Sequence, residues 1–518
     1  MPEPQNAVAP AIASRRKWPL LLILPVLLVC AGFLLRSAKG PAYLAAHMEP
    51  EYAYLFNSLN LAEGKASYYP DHPGTTVQLA GAALLHLKHP LDSQARAEDT
   101  LKNPERHLSL LGTTLMLCAA GAMLISGLLV LSAFGSVGAA LAFQAFPFFS
   151  PATLEYGLTR FSPEPLLLTF SLLISALLLS DKKNPLLLGI LAACGLATKL
   201  TFAPLALLPF FTLNLKELRR YVAYTAGGFF LLTLPILHLY PEFIKWAGQL
   251  LFGKGIYGQH GFGLDAGSFT ASLARIVNSE LPYAALLLLL AALLFRAWRA
   301  GKSIFADTQH RLAFGLLVCG LAGLFFSAKL YSPRYLIPCA CSGAAIAALF
   351  AARAEFLSLP PLTRAYRQFL AVLLSLFVLI TLWNFTVGLK FASACRDSQL
   401  GFMNASQEAF AENPKIYFYP VSSQLMALFD GNIYAGANRG ELLEKLYPLE
   451  RTWFVHRFRP ALWTWTAPAD TQAILEQHHR QLIFLGNTKL CPEPLPGLML
   501  MPLLQGEFCN NEAASAAF

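Results

Sequence analysis

Long apolar runs alternate with short polar segments over the first 390 residues. The first run, "WPLLLILPVLLVCAGFLL", begins at Trp18. Because about 20 apolar residues are needed to cross a bilayer, this run and the later ones predict about eleven transmembrane helices, several of them short. The later predicted spans are 107–133, 137–150, 164–180, 185–198, 200–214, 221–240, 282–296, 309–328, 335–352 and 367–389.

The basic residues predict the orientation of these spans, because cytoplasmic loops carry an excess of Lys and Arg. Arg15, Arg16 and Lys17 place the amino terminus inside; a cleaved signal peptide is the alternative interpretation of the same segment. In both cases the next segment emerges outside. With this count four later clusters fall on the cytoplasmic side: Lys182 and Lys183; Lys216, Arg219 and Arg220; Arg296, Arg299 and Lys302; and Arg353, Arg364 and Arg367.

The sequence therefore predicts a multi-pass protein of the inner (cytoplasmic) membrane. Residues 1–389 form its transmembrane domain, and residues 37–106 form a first external loop with amphipathic helices. The tail differs in pattern, since "KIYFYPVSS", "TWFVHRF" and "RQLIFLGN" predict short buried strands, with helical spacing between them. We expect residues 390–518 to form a small extracytoplasmic α/β domain.

Composition supports a membrane protein. The 518 residues are 55% hydrophobic and only 13% charged, about half the charged fraction of a soluble protein. The net charge of +9 does not indicate nucleic-acid binding, because the basic residues lie in short clusters between apolar runs and no recognition motif accompanies them.

The nine cysteines lack the spacing of metal ligands. Those in apolar runs are typical of small core residues. If the tail is extracytoplasmic, a disulfide between Cys491 and Cys509 is compatible with an oxidising compartment.

The predicted topology brings twelve ionisable residues toward the outer surface. Carboxylates come from early loops and several cations from later ones, an arrangement that suits a reaction with a proton to remove and an anion to hold. Ordinary structural roles are the alternative: solvated loops, first-turn acids, a helical Arg–Glu pair and a snorkelling lysine. The residues are Glu49, Glu51, Asp71, His72, Glu155, Arg160, Glu164, Lys199, Lys254, His260, Lys329 and Arg334.

Five stretches occur in an order that resembles a known family: "MEPEYAYLFNSL", "DHPGTTVQLAGAALL", "RFSPEPLLLTFSLL", "GILAACGLATKLTFAPL" and "SPRYLIP". Over about residues 15–350 the chain resembles the GT-C fold glycosyltransferases that use polyprenyl-phosphate sugars, in the protein O-mannosyltransferase and aminoarabinose-transferase branch (glycosyltransferase family 39-like). The acidic pair of that branch is adjacent, whereas Glu49 and Glu51 are separated here. Glu49 matches the second acid by register, and which of the two is the base stays open.

The resemblance implies a mostly α, polytopic GT-C glycosyltransferase that moves a hexosyl or pentosyl group from a polyprenyl-phosphate donor to an envelope acceptor, which is a lipid, a glycan or a protein. Transfer would take place on the extracytoplasmic side by inverting, in-line displacement. The expected catalytic acids are Glu49, Glu51 and Asp71. The expected phosphate ligands are Arg334, Lys199 and Arg160, and the expected supporting residues are His72, Glu164, Lys254, His260 and Tyr335, with Glu164 orienting Arg160.

The matched branch generally needs no cofactor and no metal, although Glu49, Glu51 and Asp71 could hold a divalent cation. No phosphate-binding Gly-rich loop indicates a nucleotide-sugar donor. The rival interpretation is a transporter or flippase of an anionic lipid-linked substrate, and a third is a scaffold for envelope enzymes. Against transport, the sequence shows no pair of related halves with broken helices.

Overall fold

The computed structural model describes residues 18–44, 48–180, 183–254, 261–303, 307–330, 332–352, 364–456, 459–478 and 481–485. The described chain is mostly helical, with a small sheet near its carboxyl end. Its first helices are α1 (Ile23–Lys39), α2 (Met48–Ala62), α3 (Thr75–Lys88), α4 (Ser93–Lys102), α5 (Pro104–Phe134), α6 (Val137–Ala145), α7 (Pro151–Gly157), α8 (Pro163–Leu179) and α9 (Pro185–Thr198).

The next part of the chain is also helical. Its helices are α10 (Ala203–Ala206), α11 (Leu215–Thr233), α12 (Tyr240–Phe252), α13 (Ala266–Ser279), α14 (Leu281–Arg299), α15 (Thr308–Lys329), α16 (Ile337–Ala351) and α17 (Arg364–Ala409).

The protein is a multi-pass membrane protein. In the described ranges seven helices are long and apolar enough to cross a bilayer, and the bent pair Val137–Phe149 and Pro151–Gly157 would make an eighth span. Three further apolar helices are shorter: Pro163–Leu179, Pro185–Thr198 and Leu200–Phe211. These correspond to predicted spans that the sequence already marks as short.

Proline and polar caps determine where many of these helices begin. Asn184 caps α9 through the Leu186 N–H, and Pro185 occupies its first position; proline is favoured there because its missing N–H is not needed in the first turn. Ser150 and Pro151 begin α7 in the same way. The predicted start of α9 at residue 185 is therefore confirmed by a cap that is legible in the sequence.

Small residues allow α9 and α11 to approach closely. A Cβ atom added at Gly189 would lie 2.6 Å from Cβ of Tyr224, and one added at Gly228 would lie 2.8 Å from Cβ of Ala193. Close packing of this kind, through glycine and alanine, is a usual source of helix association in membranes.

The carboxyl-terminal sheet has the order β3-β2-β1-β4. Strand β1 (Lys415–Phe418) pairs in parallel with β2 (Thr452–His456) and β4 (Ile483–Leu485), while β3 (Arg459–Trp463) pairs antiparallel with β2. The remaining helices are α18 (Gln424–Tyr434), α19 (Gly440–Leu446) and α20 (Thr471–His478). The three strands expected from the sequence are present; β3 and α18 are additional.

The described contacts divide the chain into two compact units. Unit 1 comprises residues 1–34, 70–76 and 112–386, and unit 2 comprises residues 35–69, 77–111 and 387–518. Helix α17 continues to Ala409, beyond the predicted end of the last span at residue 389. Within unit 2, Cys395 is disulfide-bonded, whereas the predicted Cys491–Cys509 pair lies outside the described residues.

Unit 2 holds a polar seam between α2 and the segment that joins α18 to α19. Arg439 donates to both oxygens of Glu63, at 2.9 and 2.8 Å, and to Asn60 at 3.0 Å. The side-chain amides of Asn57 and Asn60 each donate at 3.1 Å, to the carbonyls of Tyr434 and Ala435. Since Arg439 and Glu63 are both nearly buried, the tail and the first loop form one packed unit.

Candidate active site

Lys199 owes its position to the way that α9 ends. The helix stops at Thr198, and Lys199 is extended, with φ −163° and ψ 134°. It forms an isolated antiparallel bridge with Pro73, and the Leu200 N–H donates to the His72 carbonyl at 2.8 Å. This pairing holds the His72–Pro73 turn against the end of α9.

Side chains reinforce the same pairing. The Thr75 hydroxyl donates to the Ala197 carbonyl at 3.3 Å, and the hydroxyls of Thr76 and Thr198 are 2.6 Å apart. The first turn of α3 is thus bound to the last turn of α9. Two of the stretches that carry the family resemblance therefore meet in unit 1.

Lys199 and Glu164 form a buried ion pair. Lys199 Nζ donates to Glu164 Oε1 at 2.7 Å, and only 2% and 5% of the two side chains are exposed. Glu164 lies in the first turn of α8, after Pro163, where the helix dipole favours a negative charge. Glu164 is predicted to orient Arg160, and in the structure it accepts a hydrogen bond from Lys199.

Tyr335 brings a second cation to this pair. Its ring centroid lies 4.8 Å from Lys199 Nζ and 5.5 Å from Arg334 Cζ. Attraction to the ring face stabilises each cation, but like charges around one ring repel each other. We use the term cationic cluster for five residues: Lys199, Arg334, Tyr335, Glu164 and His72.

His72 has an uncommon backbone conformation within this cluster, with φ +91°. A non-glycine residue in this region costs about 1–3 kcal/mol, and such residues concentrate at functional sites. The imidazole makes edge contacts with Trp246 at 5.3 Å and Tyr335 at 6.4 Å between ring centroids. Burial lowers the pKa of His72 well below its usual value, and the charges of Lys199 and Arg334 lower it further, so the ring is neutral.

Arg160 shares a neighbour, Tyr156, with Arg334. It is nearly buried, two residues beyond Leu158, the residue that caps α7. The charges of Arg160 and Arg334 both act on the hydroxyl of Tyr156. Arg334 thus shares the Tyr335 ring with Lys199 and acts on Tyr156 together with Arg160. Asp71 is the residue before His72 in the chain.

The two glutamates of α2 belong to unit 2. Glu51 is 6% exposed and interacts electrostatically with Arg36. The neighbouring Tyr52 donates to Glu105 at 2.7 Å. Glu49 is in the first turn of α2, and its side chain lies outside the described residues.

The predicted Gly-rich loop contributes less to the described geometry. Lys254 is exposed, and its side chain packs against Gly263, whose φ is +118°. Its N–H donates to the Gly261 carbonyl at 2.6 Å. His260 lies outside the described residues, and the contacts described for Lys254 do not involve the cationic cluster.

Three neighbours of the predicted site residues are not themselves predicted from the sequence: Trp246, Tyr156 and Arg36. Tyr156 precedes Arg160 by four positions, but α7 ends between them at Gly157, so helical spacing does not indicate this neighbour. Trp246 follows Tyr240 and Phe243 at intervals of three, an aromatic stripe whose rings are 6.2 and 6.4 Å apart in sequence order. Its contact with His72 joins residues that are 174 positions apart, so no local sequence pattern indicates it.

Among the residues whose side chains the structure describes, no group of three or more His, Cys, Asp or Glu side chains is arranged to hold a metal ion. The acids proposed for a divalent cation include Glu49, whose side chain is not described.

Comparison with family models gives no match, and neither does comparison with curated proteins. Among solved structures, the chain is similar to the crystal structure of ArnT from Cupriavidus metallidurans bound to undecaprenyl phosphate, with a TM-score of 0.43 and 13% identity. The match covers 91% of this chain and 86% of that one. A likeness at this level does not establish a function for the chain.

Proposed function

We propose that this protein is a membrane glycosyltransferase that uses a polyprenyl-phosphate sugar as donor, and that the cationic cluster binds the donor phosphate. The reaction is an in-line displacement in which the acceptor hydroxyl attacks the anomeric carbon. The polyprenyl phosphate leaves, and the configuration inverts. The acceptor belongs to the cell envelope, and residues 390–518 form an extracytoplasmic domain that packs with the first loop within unit 2.

The observation that carries the proposal is the convergence of Lys199 and Arg334 on the Tyr335 ring. Keeping two cations this close is costly unless an anion joins them. The single negative charge of Glu164, which lies beside Lys199 and acts electrostatically on Arg334 as well, is smaller than the summed positive charge of the two cations. A phosphate fits this requirement, because a guanidinium and an ammonium bind its oxygens with charge-assisted hydrogen bonds.

A base is also required to take the proton of the acceptor hydroxyl. Glu49 is our first candidate, with Glu51 and Asp71 as the others. A positioned general base contributes about 10²–10⁴-fold to the rate. Glu51 interacts electrostatically with Arg36. A carboxylate beside a guanidinium is a weaker base, so we favour Glu49 as the general base.

We propose that the site and the tail face the extracytoplasmic side. Two observations support this orientation. Four Lys and Arg clusters agree on the opposite side of the membrane, and Cys395 is disulfide-bonded, a state that persists in oxidising compartments.

Transfer assays in proteoliposomes test the function. Purified protein is incubated with radiolabelled polyprenyl-phosphate sugars and an envelope extract, and label is followed into covalent products. Covalent transfer supports the enzyme. Label that only changes leaflet supports the transporter instead and overturns the proposal.

Matched variants separate the cluster from general charge effects. Arg334→Ala removes a proposed phosphate ligand, whereas Arg299→Ala removes an exposed arginine in the last turn of α14. We expect loss of transfer only in the first. Equal transfer in both variants would remove Arg334 from the phosphate site.

A further inference from the structure

Glu280 is a buried carboxyl that the proposed reaction does not use. It immediately precedes α14, which is long and apolar enough to cross a bilayer, and it is 1% exposed. Its Oε1 accepts a hydrogen bond from the Ala152 N–H at 2.9 Å, whereas Oε2 forms no hydrogen bond with any residue that the structure describes. Because buried polar groups are nearly always hydrogen-bonded, the incomplete bonding of this carboxyl requires an explanation.

The bond from Ala152 to Glu280 closes the first turn of a short helix. The two residues are 128 positions apart, and both belong to unit 1. Ala152 lies in the first turn of α7, where backbone N–H groups have no acceptor within the helix. Ser150 Oγ accepts from the Thr153 N–H at 3.2 Å, so Glu280 provides a second cap for this turn. This second cap comes from a distant segment of the chain.

Glu280 is held in place by the packing of α14. A Cβ atom added at Gly320 of α15 would lie 2.7 Å from both Tyr283 Oη and Leu287 Cδ2. One added at Gly343 of α16 would lie 3.0 Å from Tyr283 Cδ2. The beginning of α14 therefore packs closely on both helices, and Glu280, three residues before Tyr283, has little freedom to follow α7 if that helix moves.

The same short helix supports the cationic cluster. Helix α7 packs against Pro333–Leu336, the segment that contains Arg334. Tyr156 lies four residues after Ala152, on the same face of α7, and the charge of Arg334 acts on its hydroxyl. The helix that Glu280 holds at its first turn is therefore the helix against which Arg334 is placed.

We propose that Glu280 is a positioning residue of the donor-phosphate site, which keeps α7, and through it Arg334, in the arrangement that binds the phosphate. This inference rests on the proposed function. A residue without an acceptor at position 280 leaves the buried Ala152 N–H unpaired, a costly state that a shift of α7 relieves. A displacement of about 1 Å caused by a substitution far from the chemistry lowers a rate by about 10²-fold in sensitive cases.

Two substitutions of Glu280 test this role in the full chain. Glu280→Leu has a similar size but no acceptor, whereas Glu280→Gln keeps an oxygen that accepts from the Ala152 N–H. The probe is undecaprenyl phosphate, whose binding to the purified protein in detergent is measured by titration, alongside thermal unfolding. We expect Glu280→Leu to weaken this binding by about 10–10²-fold and Glu280→Gln to bind like the wild type.

A helix cap elsewhere distinguishes positioning from a general loss of stability. Asn184→Ala removes the side chain that accepts from the Leu186 N–H at 2.9 Å, at the opposite end of α9 from Lys199. It should lower the melting temperature without weakening the binding of undecaprenyl phosphate. If Glu280→Leu does not fold, Ser150→Ala, which removes the other cap of α7, takes its place and should weaken binding as well.

The outcomes separate this inference from the proposed function. Weaker binding in Glu280→Leu or Ser150→Ala, with normal binding in Glu280→Gln and Asn184→Ala, supports the role of Glu280. Wild-type affinity in the variants that lack a cap of α7, or an equal loss in Glu280→Gln or Asn184→Ala, overturns it. If the wild type itself binds no undecaprenyl phosphate, the proposed function fails, and this inference fails with it.

Discussion

Lys199 Nζ lies 2.7 Å from Glu164 Oε1, and both side chains are almost fully buried. Removing one partner of a buried pair leaves an uncompensated charge and costs about 3–5 kcal/mol, whereas replacing both can be nearly neutral. We therefore expect Lys199→Met to lower the melting temperature strongly. The double variant Lys199→Met with Glu164→Gln should recover most of that stability.

Transfer activity distinguishes a role of Lys199 in donor binding from a purely structural role. If Lys199 binds the donor phosphate, the stable double variant still fails to transfer sugar. Thermal unfolding in detergent and the transfer assay are measured on the same preparations. A double variant that is both stable and active would restrict Lys199 to a structural role.

Tyr335→Leu removes the ring that Lys199 and Arg334 share. A cation–π contact contributes about 0.5–2 kcal/mol, so donor affinity should fall by roughly 2- to 30-fold for each contact. Tyr335→Phe keeps the ring and is the matched control, with near-normal affinity expected. Binding of the polyprenyl-phosphate sugar, measured by titration, checks both; equal affinities in the two variants would contradict the role of the ring.

Glu49→Gln and Glu51→Gln distinguish the two candidate bases. We expect Glu49→Gln to lower the transfer rate by about 10²–10⁴-fold, while donor binding and thermal unfolding stay unchanged. Glu51→Gln leaves the charge of Arg36 without its carboxylate and should lower the melting temperature. The reverse pattern, with rate loss but normal stability for Glu51→Gln and normal turnover for Glu49→Gln, would identify Glu51 as the base.

His72 should make folding stability depend on pH. Its pKa is lowered in the folded protein by burial and by the charges of Lys199 and Arg334, whereas an unfolded histidine has a pKa of about 6.5. The unfolded state therefore binds the proton more readily. The contribution of His72 is complete above about pH 6.5 and is lost as the pH falls toward the lowered pKa, at most about 1.4 kcal/mol per pH unit.

The variant His72→Asn removes this titration, and asparagine tolerates a positive φ better than most residues. Melting temperatures between pH 7 and pH 5 should therefore fall less steeply for His72→Asn than for the wild type. His238→Asn, at an exposed histidine, is the control and should keep the wild-type slope. Parallel slopes for all three proteins would contradict the lowered pKa of His72.

Arg439 should be much more important for stability than an exposed cation nearby. Arg439→Met leaves Glu63 unpaired in a nearly buried position, which costs about 3–5 kcal/mol. Lys445→Ala removes an exposed contact of 3.6 Å with Glu98, and exposed ion pairs of this kind contribute little to stability. Chemical denaturation measures the free energy of unfolding of both variants. A similar decrease in the two would show that the polar seam around Arg439 is weakly packed.

The sequence predicts most of the helices of this fold, because apolar length and capping residues are local signals. Asn184 and Pro185 mark the start of α9 correctly, and the strands β1, β2 and β4 are visible as short apolar runs. The strand β3 is not visible, since "RPALW" lacks a clear alternation and forms only against β2. Helix α17 extends beyond the last apolar run, where polar residues continue the helix.

The candidate site is harder to predict from sequence, because its contacts join distant positions. Lys199 and Glu164 are each noticeable as charges beside apolar helices, but their pairing depends on the extended backbone after Thr198. The edge contact between His72 and Trp246 depends on α12 reaching the turn before α3. Such contacts follow from packing, which leaves no spacing signal in either segment.

The seam between α2 and Arg439 also constrains the biogenesis of the protein. Glu63 and Arg439 are separated by 376 positions, and ribosomes add about 5–20 residues per second, so α2 waits roughly 20–75 s for its packing partner. During that interval Asn57 and Asn60 of α2 lack the hydrogen-bond partners that the tail provides in the folded protein. The first loop therefore lacks its packing partner until Arg439 has been synthesised, and a chain that stalls before residue 439 would be a target for chaperones and proteases.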